Sequence, residues 1–341
     1  MYKLVRKFLF LFDAEEIHEL STKLIKLFNF IPFSSFLLRK HYLISDKSLE
    51  RELFGIKFKN PIGLAAGFDK NATLFNDFRN FGFGFIEIGT VTPLPQDGNP
   101  KKRIFRLSKD EALINRLGFN NSGVEKIKKN LNRKKNVIIG ANIGRNSFTS
   151  NEEAHFDYIK CYNELYPYVD YFAINISSPN TKGLRDLHNK DLLEPLIKKI
   201  TSLNYSKGNP KPILLKISPD VGFSQLDQII ELVIEYRIHG IIATNTSISR
   251  EGLLSKNKSE TGGLSGKPIN KRSNEIISYI SKKSNKAFPI IGAGGILSAE
   301  DAVQKVKSGA DLVQLYTGFI YNGPKLIRSI NKALIEYYKS T

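Results

Sequence analysis

Tryptophan is absent from the 341 residues, and there is one methionine and one cysteine, Cys161. A lone cysteine can neither close an internal disulfide nor build a thiolate metal cluster, so a reducing cytosolic setting fits and no metal is expected. Cys161 lies in HFDYIKCYNELY, whose apolar spacing is helical, and it reads as a packing residue. Also missing is an apolar run of the roughly 20 residues that cross a bilayer. The most apolar stretch, at the N-terminus, is broken by Arg6, Lys7, Asp13 and Glu15. It has no small-residue cleavage site, so a signal peptide is not expected. Acidic residues are scarce: 33 against 51 basic ones gives a formal charge of +18, which raises an anionic partner such as nucleic acid or an acidic lipid surface. The lysines are dispersed, however, without the aromatic-interleaved platform that stacks bases, so no nucleic acid is expected. A/T-rich codons would give the same abundance of Lys, Ile, Asn and Phe.

What is present is a strand and helix alternation with a period of roughly 35 residues from about residue 60 onward. Eight short apolar runs stand out: PIGLAAG, FGFIEIGT, NVIIGANIG, YFAINIS, PILLKIS, GIIATNT, FPIIGAGG and DLVQLYTG. Amphipathic stretches at 121–133, 151–166, 189–203, 223–238, 271–284 and 298–308 fall between them, and 323–339 follows the last. Eight such units predict an α/β fold, a (β/α)8 TIM barrel. A doubly wound open sheet would place GxGxxG after its first strand, and GLAAGFDKN lacks that spacing. Residues 49–59 read as a hairpin closing the barrel bottom. The N-terminal segment reads as two short helices, opening near Asp13 and near Pro32-Phe33, that either cap a core or lie in a membrane interface.

Chemistry in such a barrel gathers at the carboxyl ends of its strands. Those ends are polar in succession: Asp69-Lys70, Thr90, Asn142, Asn175 with Ser177 and Ser178, Lys216, and Thr244-Asn245-Thr246. Any one could be a cap or a turn, but together they would face one another across one cavity. The glycines of GAGG at 292–295, YTG at 316–318 and TGGLSG at 261–266 would let the backbone approach a phosphate. A phosphate at one edge, with amides, Thr and Lys across the strand ends, suits a flat phosphorylated cofactor such as FMN. Lys216, alone in an apolar strand, needs an anion. Beside a flavin it would stabilise the charge that develops on the N1 and O2 side of the ring. Asn115, Asn180, Asn245 and Thr246 with Lys70 suit a pyrimidine ring that carries a carboxylate.

The segments NPIGLAAGFDKN, IEIGTVTP, INRLGFNNSG, NISSPNT, IATNTS, TGGLSG, IIGAGGI and LVQLYTGFIY, in this order, closely resemble the class 2, quinone-dependent dihydroorotate dehydrogenases. The resemblance implies oxidation of (S)-dihydroorotate to orotate in de novo pyrimidine synthesis, by hydride transfer to FMN and onward passage of electrons to a membrane quinone. It makes Ser178 the base that removes the C5 proton, with a relay past Thr181 and Phe119. Class 1 enzymes carry Cys at that position and lack the N-terminal helices. The implied cofactor set is Ala66, Gly67, Phe68, Asp69, Lys70, Thr90, Asn142, Asn175, Lys216, Thr244, Gly266, Gly295, Tyr316 and Thr317. The implied substrate set is Lys70, Asn115, Arg116, Leu117, Gly118, Phe119, Asn175, Asn180, Asn245 and Thr246. Phe68 departs from the more usual leucine and is expected to crowd the cavity wall near the flavin. Residues 1–45 would form a quinone-access extension on an anionic membrane surface, and 46–341 the catalytic barrel. A monomer, peripheral on the cytoplasmic face of a bacterial cell membrane, is implied. A tRNA dihydrouridine synthase would instead need a loop cysteine and an added RNA-binding domain.

Overall fold

Residues 2–133 and 135–340 are described by a computed structural model of the chain. It opens with α1 (Tyr2–Leu9), α2 (Ala14–Phe30) and α3 (Ser34–Tyr42). The expected pair is α2 and α3, and α1 precedes it as an additional helix. Asp13 starts α2 as its cap, Oδ1 accepting from the backbone N–H of Glu15 at 2.9 Å and Glu16 at 3.3 Å. Leu4, Phe8, Leu20, Leu27, Phe30, Phe33 and Leu37 stay exposed on these helices, more apolar surface than a soluble monomer usually leaves bare. Among the described residues, no helix is long and apolar enough to cross a membrane.

The antiparallel hairpin β1 (Arg51–Leu53) and β2 (Ile56–Phe58) follows, as expected for 49–59. The barrel strands are β3 (Ile62–Leu64), β4 (Phe85–Val91), then, beyond an inserted pair β5 (Ile104–Leu107) and β6 (Ala112–Asn115), β7 (Ile138–Ile143), β8 (Tyr171–Asn175), β9 (Ile213–Ile217) and β10 (Gly240–Ala243). After β11 (Gly263–Gly266) come β12 (Ile290–Ala293) and β13 (Leu312–Leu315). The eight parallel strands close in the order β3, β4, β7, β8, β9, β10, β12, β13. Helices α4 (Phe75–Arg79), α5 (Val124–Leu131), α6 (Ala154–Leu165), α7 (Lys190–Tyr205), α8 (Phe223–Glu235), α9 (Asn270–Lys283) and α10 (Ala299–Lys307) connect them. Short α11 (Thr317–Asn322) and α12 (Lys325–Ser340) end the chain. Cys161 is buried on α6, as its spacing predicts.

The period of two along a strand divides the core. Ile213, Leu215 and Ile217 of β9 pack in the layer between sheet and helices, while Leu214 joins Phe85, Tyr171, Ile242 and Leu312 inside the barrel. The Phe85 and Tyr171 rings fit there because Gly63 and Gly140 face them: a Cβ on either glycine would come within 2.3 Å of a ring carbon. Phe58 of the hairpin plugs this cluster from below. One layer up the barrel interior turns polar, and the site begins.

The strands β5, β6 and β11 form a separate antiparallel sheet, in the order β11-β6-β5. The pairing of Asn115 with Gly263 ties the two crossover connections together beside the barrel mouth. Gly263 is required there, since a Cβ would lie 2.0 Å from Thr246 Oγ1.

Candidate active site

Asn175, at the end of β8, anchors a network that reaches down into the barrel. Its Nδ2 donates to Thr90 Oγ1 at 2.9 Å and Asn142 Oδ1 at 3.0 Å, and Thr90 Oγ1 donates to the same Asn142 oxygen at 2.6 Å. Neither asparagine caps a helix. Beneath them Asn142 Nδ2 donates to the buried Glu87, which also pairs with Lys216 at 3.1 Å. The anion that Lys216 needs is thus supplied by the chain itself, from a residue that the strand-end inventory had passed over.

Beyond β8 the chain runs through Ser177 and Ser178 into a turn at Pro179-Asn180. The Ser178 hydroxyl oxygen accepts the Asn180 backbone N–H at 3.2 Å, and Asn180 Nδ2 donates to Asn115 Oδ1 at 3.1 Å. Asn245 Nδ2 donates to Ser177 Oγ at 2.9 Å. One cavity at the strand ends is lined by Ser178 together with Lys70, Asn115, Leu117, Gly118, Phe119, Asn175, Asn180, Asn245 and Thr246. Ala66, Gly67, Thr90, Lys216, Thr244, Gly266, Gly295, Tyr316 and Thr317 line the same cavity. Lys70 Nζ donates to Asn120 Oδ1 at 2.6 Å, and burial, followed by the charge of Arg103, brings its ammonium down to about 8.

Five predicted residues lie off this wall. Asp69 is buried behind it, its carboxylate accepting the backbone N–H groups of Thr73 and Leu74 at 2.8 Å each, which fixes the turn that carries Lys70. Asn142 lies below, in the polar layer. Arg116 turns outward, pairing with Glu260 at 2.6 Å and stacking over Phe105. Thr181 Oγ1 is buried and meets no hydrogen-bonding partner. Phe68 does not crowd this cavity: its ring packs edge-on against His18, Phe78, Tyr316 and Phe319 and lines a second one.

That second cavity, about 380 Å³, lies between α1, α2 and the barrel. Leu9, Phe10, Ile17, Ile25 and Phe319 make it mainly apolar, with His18 and Arg106 among its few polar groups. Burial, helped by the charge of Lys70, brings His18 down to about 4, so its imidazole is neutral at pH 7. The two cavities share Asn115, Ser265 and Tyr316 as common wall. Sequence reasoning missed Ser265 and Gln314, which line the strand-end cavity, and Glu87 beneath it.

A family model described as Dihydroorotate dehydrogenase matches residues 48–337. The chain belongs to the dihydroorotate dehydrogenase family. A Christiangramia forsetii protein named "Dihydroorotate dehydrogenase (quinone)" is 57% identical over 337 residues, which cover 98% of this chain and 99% of that one. A Roseiflexus relative of the same name is 45% identical, covering 98% and 93%. Among solved structures, DHODH from Eimeria tenella in complex with ferulenol superposes with a TM-score of 0.85 at 36% identity, covering 96% of this chain and 92% of that one. Within the dihydroorotate dehydrogenases, flavin-dependent oxidoreductases, the chain falls in the quinone-dependent class 2.

Proposed function

We propose that this chain oxidises (S)-dihydroorotate to orotate in pyrimidine (UMP) synthesis, with FMN across the strand ends and a membrane quinone as final electron acceptor. The observation that carries the reading is the strand-end cavity: Ser178 and Lys70 line it among amide side chains, and it abuts the apolar cavity of the N-terminal helices.

The residues present fit FMN. Thr244 Oγ1 and Gln314 Oε1 are buried at strand ends and find no partner within the protein, which suits hydrogen bonds to a polar ring edge. Gly294 and Gly295 turn with φ of 106° and 76° beside Thr317 and Gly318, where bare backbone can approach a phosphate. Gly295 is also needed for packing, since a Cβ would meet the Asn270 backbone at 2.3 Å. Ala66, Gly67, Thr90, Lys216, Thr244, Gly266, Gly295, Tyr316 and Thr317 would hold the cofactor. Asn175 would contact both cofactor and substrate.

When bound, FMN supplies the acceptor for the hydride from C6 of the substrate and the electrons that quinone later takes. The remaining work falls to side chains. Lys70 pairs with the substrate carboxylate, and Asn115, Asn180, Asn245 and Thr246 match the donors and acceptors of the ring, turning C5 toward Ser178 Oγ. Ser178 passes its own hydroxyl proton onward as it takes the C5 proton and the C6 hydride leaves, and the Asn180 N–H stabilises the negative charge that Oγ carries while its own proton departs. A serine hydroxyl is a weak base and needs an onward path for its own proton. Thr181, with its unpartnered hydroxyl, suits a bridging water, and Phe119 closes that side from solvent. Residues 1–45 form the quinone entry, with neutral His18 and Arg106 facing the quinone head, and 46–341 carry the catalysis. The exposed Leu and Phe side chains of α1 to α3 rest on an anionic membrane surface, which makes the protein a peripheral one on the cytoplasmic face. It acts as a monomer.

Ser178→Ala tests the base. Bound FMN should be retained while the rate of its anaerobic reduction by dihydroorotate falls by about 10²–10⁴-fold. An unchanged rate would remove Ser178 from the mechanism.

A further inference from the structure

Glu87, the third residue of β4, points into the barrel and is fully buried. Its carboxylate receives donors only: Lys216 Nζ at 3.1 Å and Asn142 Nδ2 at 2.9 Å on one oxygen, Gln314 Nε2 at 2.6 Å and Tyr171 OH at 3.3 Å on the other. Three of these groups, Lys216 Nζ, Asn142 Nδ2 and Gln314 Nε2, can only donate, so the shell suits the ionised carboxylate. Each donor comes from a different strand, β9, β7, β13 and β8.

Filling the barrel does not require this layer. Immediately below it Phe85, Leu214, Ile242 and Leu312 pack as hydrocarbon, and replacing a buried ion pair by apolar groups is often neutral or stabilising. The charged layer instead sits where the cavity begins, and three of its four donors lead upward. Lys216 lines the cavity itself. Asn142, with its Nδ2 committed to Glu87, must present Oδ1 to Thr90 and Asn175. Gln314, with its Nε2 committed likewise, leaves Oε1 without a protein partner at the cavity wall.

We propose that Glu87 is a positioning residue that sets the flavin's reduction potential: it orients Asn142 and Gln314 and offsets most of the charge that Lys216 presents to the ring. The inference rests on the reading above, in which FMN lies over Lys216. An unpaired ammonium would favour the negative charge of reduced flavin strongly, whereas the Glu87–Lys216 pair is close to neutral and favours it less. Glu87 therefore holds the potential down, low enough for the electrons to move on to a quinone.

The test is Glu87→Gln, which keeps the shape and one acceptor oxygen but removes the charge and turns the other oxygen into a donor. Reduction of the bound flavin is equilibrated anaerobically against a reference dye and read by absorbance. The equilibrium should shift toward reduced flavin by at least tenfold, about 30 mV for a two-electron couple. A potential unchanged within twofold in that equilibrium, with flavin still bound, overturns the proposal. If Glu87→Gln does not fold, Lys216→Gln is compared with the double variant Glu87→Gln/Lys216→Gln. The single change strands the carboxylate beneath the ring, so the double variant should be the easier to reduce by at least tenfold, and equal potentials overturn the proposal. A wild-type protein that binds no flavin would instead refute the underlying reading.

Discussion

The buried ion pair between Glu15 of α2 and Arg103, just before β5, offers a direct way to separate the N-terminal helices from the barrel. Arg103 grips both carboxylate oxygens, with contacts of 2.6 to 3.1 Å, and the two side chains are 8% and 10% exposed. The other arm of the guanidinium donates to the carbonyls of Asp97 and Asn99 at 2.6 and 2.9 Å, and Asn99 Nδ2 donates to the carbonyl of Asn180 at 3.1 Å. A continuous path thus runs from α2 to the loop that carries Ser178. Removing one partner of a buried pair costs about 3–5 kcal/mol, because the other charge is left uncompensated. Here the helix can lift away and let water reach Arg103, so the energy should appear as undocking of α2 and not as global unfolding. Glu15→Ala should therefore raise amide hydrogen exchange across 14–30 by on the order of 10²–10⁴-fold, at about 1.4 kcal/mol per tenfold, while the amides of β7 to β9 keep their protection. Quinone turnover should fall more than flavin reduction by dihydroorotate. Unchanged exchange across α2 would refute the reasoning. Burial alone would raise the Glu15 carboxyl, but hydrogen bonds from Arg103 and its charge, with Lys101 and Lys70, outweigh it and hold the group below its ordinary value of 4.5. Docking is then fully supported above that pH and weakens as pH falls through the lowered value. Deleting residues 1–40 is a blunter test, since it removes the quinone cavity and the partner of Arg103 together.

Further outcomes follow from two buried lysines. Burial brings Lys70 down to about 8, so its ammonium is lost as pH rises through that value, and orotate affinity should weaken above about pH 8; an affinity flat from pH 7 to 10 would exclude Lys70 as the carboxylate's partner. Lys305 of α10 is fully buried, donates to Ser273 Oγ at 3.0 Å, and is brought down to about 7 by burial. Its folded value lies below its unfolded one, so it opposes folding fully below pH 7 and less and less toward 10.5. Lys305→Met should raise the melting temperature, most at pH 6 and least at pH 10, and a gain independent of pH would contradict this account.

The barrel was legible because each strand is buried on both faces and so appears as an unbroken apolar run between turn residues. All eight runs hold strands. The sheet β5-β6-β11 was not, because β11 pairs with β6 across some 148 residues of chain, as Gly263 with Asn115, and strands this short leave no local period. Helix α1 escaped although its polar and apolar residues segregate onto two faces, because eight residues make barely two turns. Most predicted site residues do share one cavity wall, since position at a strand end dictates where a side chain arrives. Arg116 and Phe68 escape that rule: each sits beyond a strand end, where loop geometry and local partners decide the direction. Glu87 was legible in principle. A lone carboxylate in FIEIG is the same anomaly as the lone ammonium in LLKIS, and two opposite charges in buried strands of one barrel should have been read as a pair.

The most direct test is anaerobic addition of dihydroorotate to the purified holoprotein while the visible flavin band is followed. Bleaching is expected, with return of the band on adding a quinone. A flavin that stays oxidised in the presence of dihydroorotate would contradict the proposed reaction.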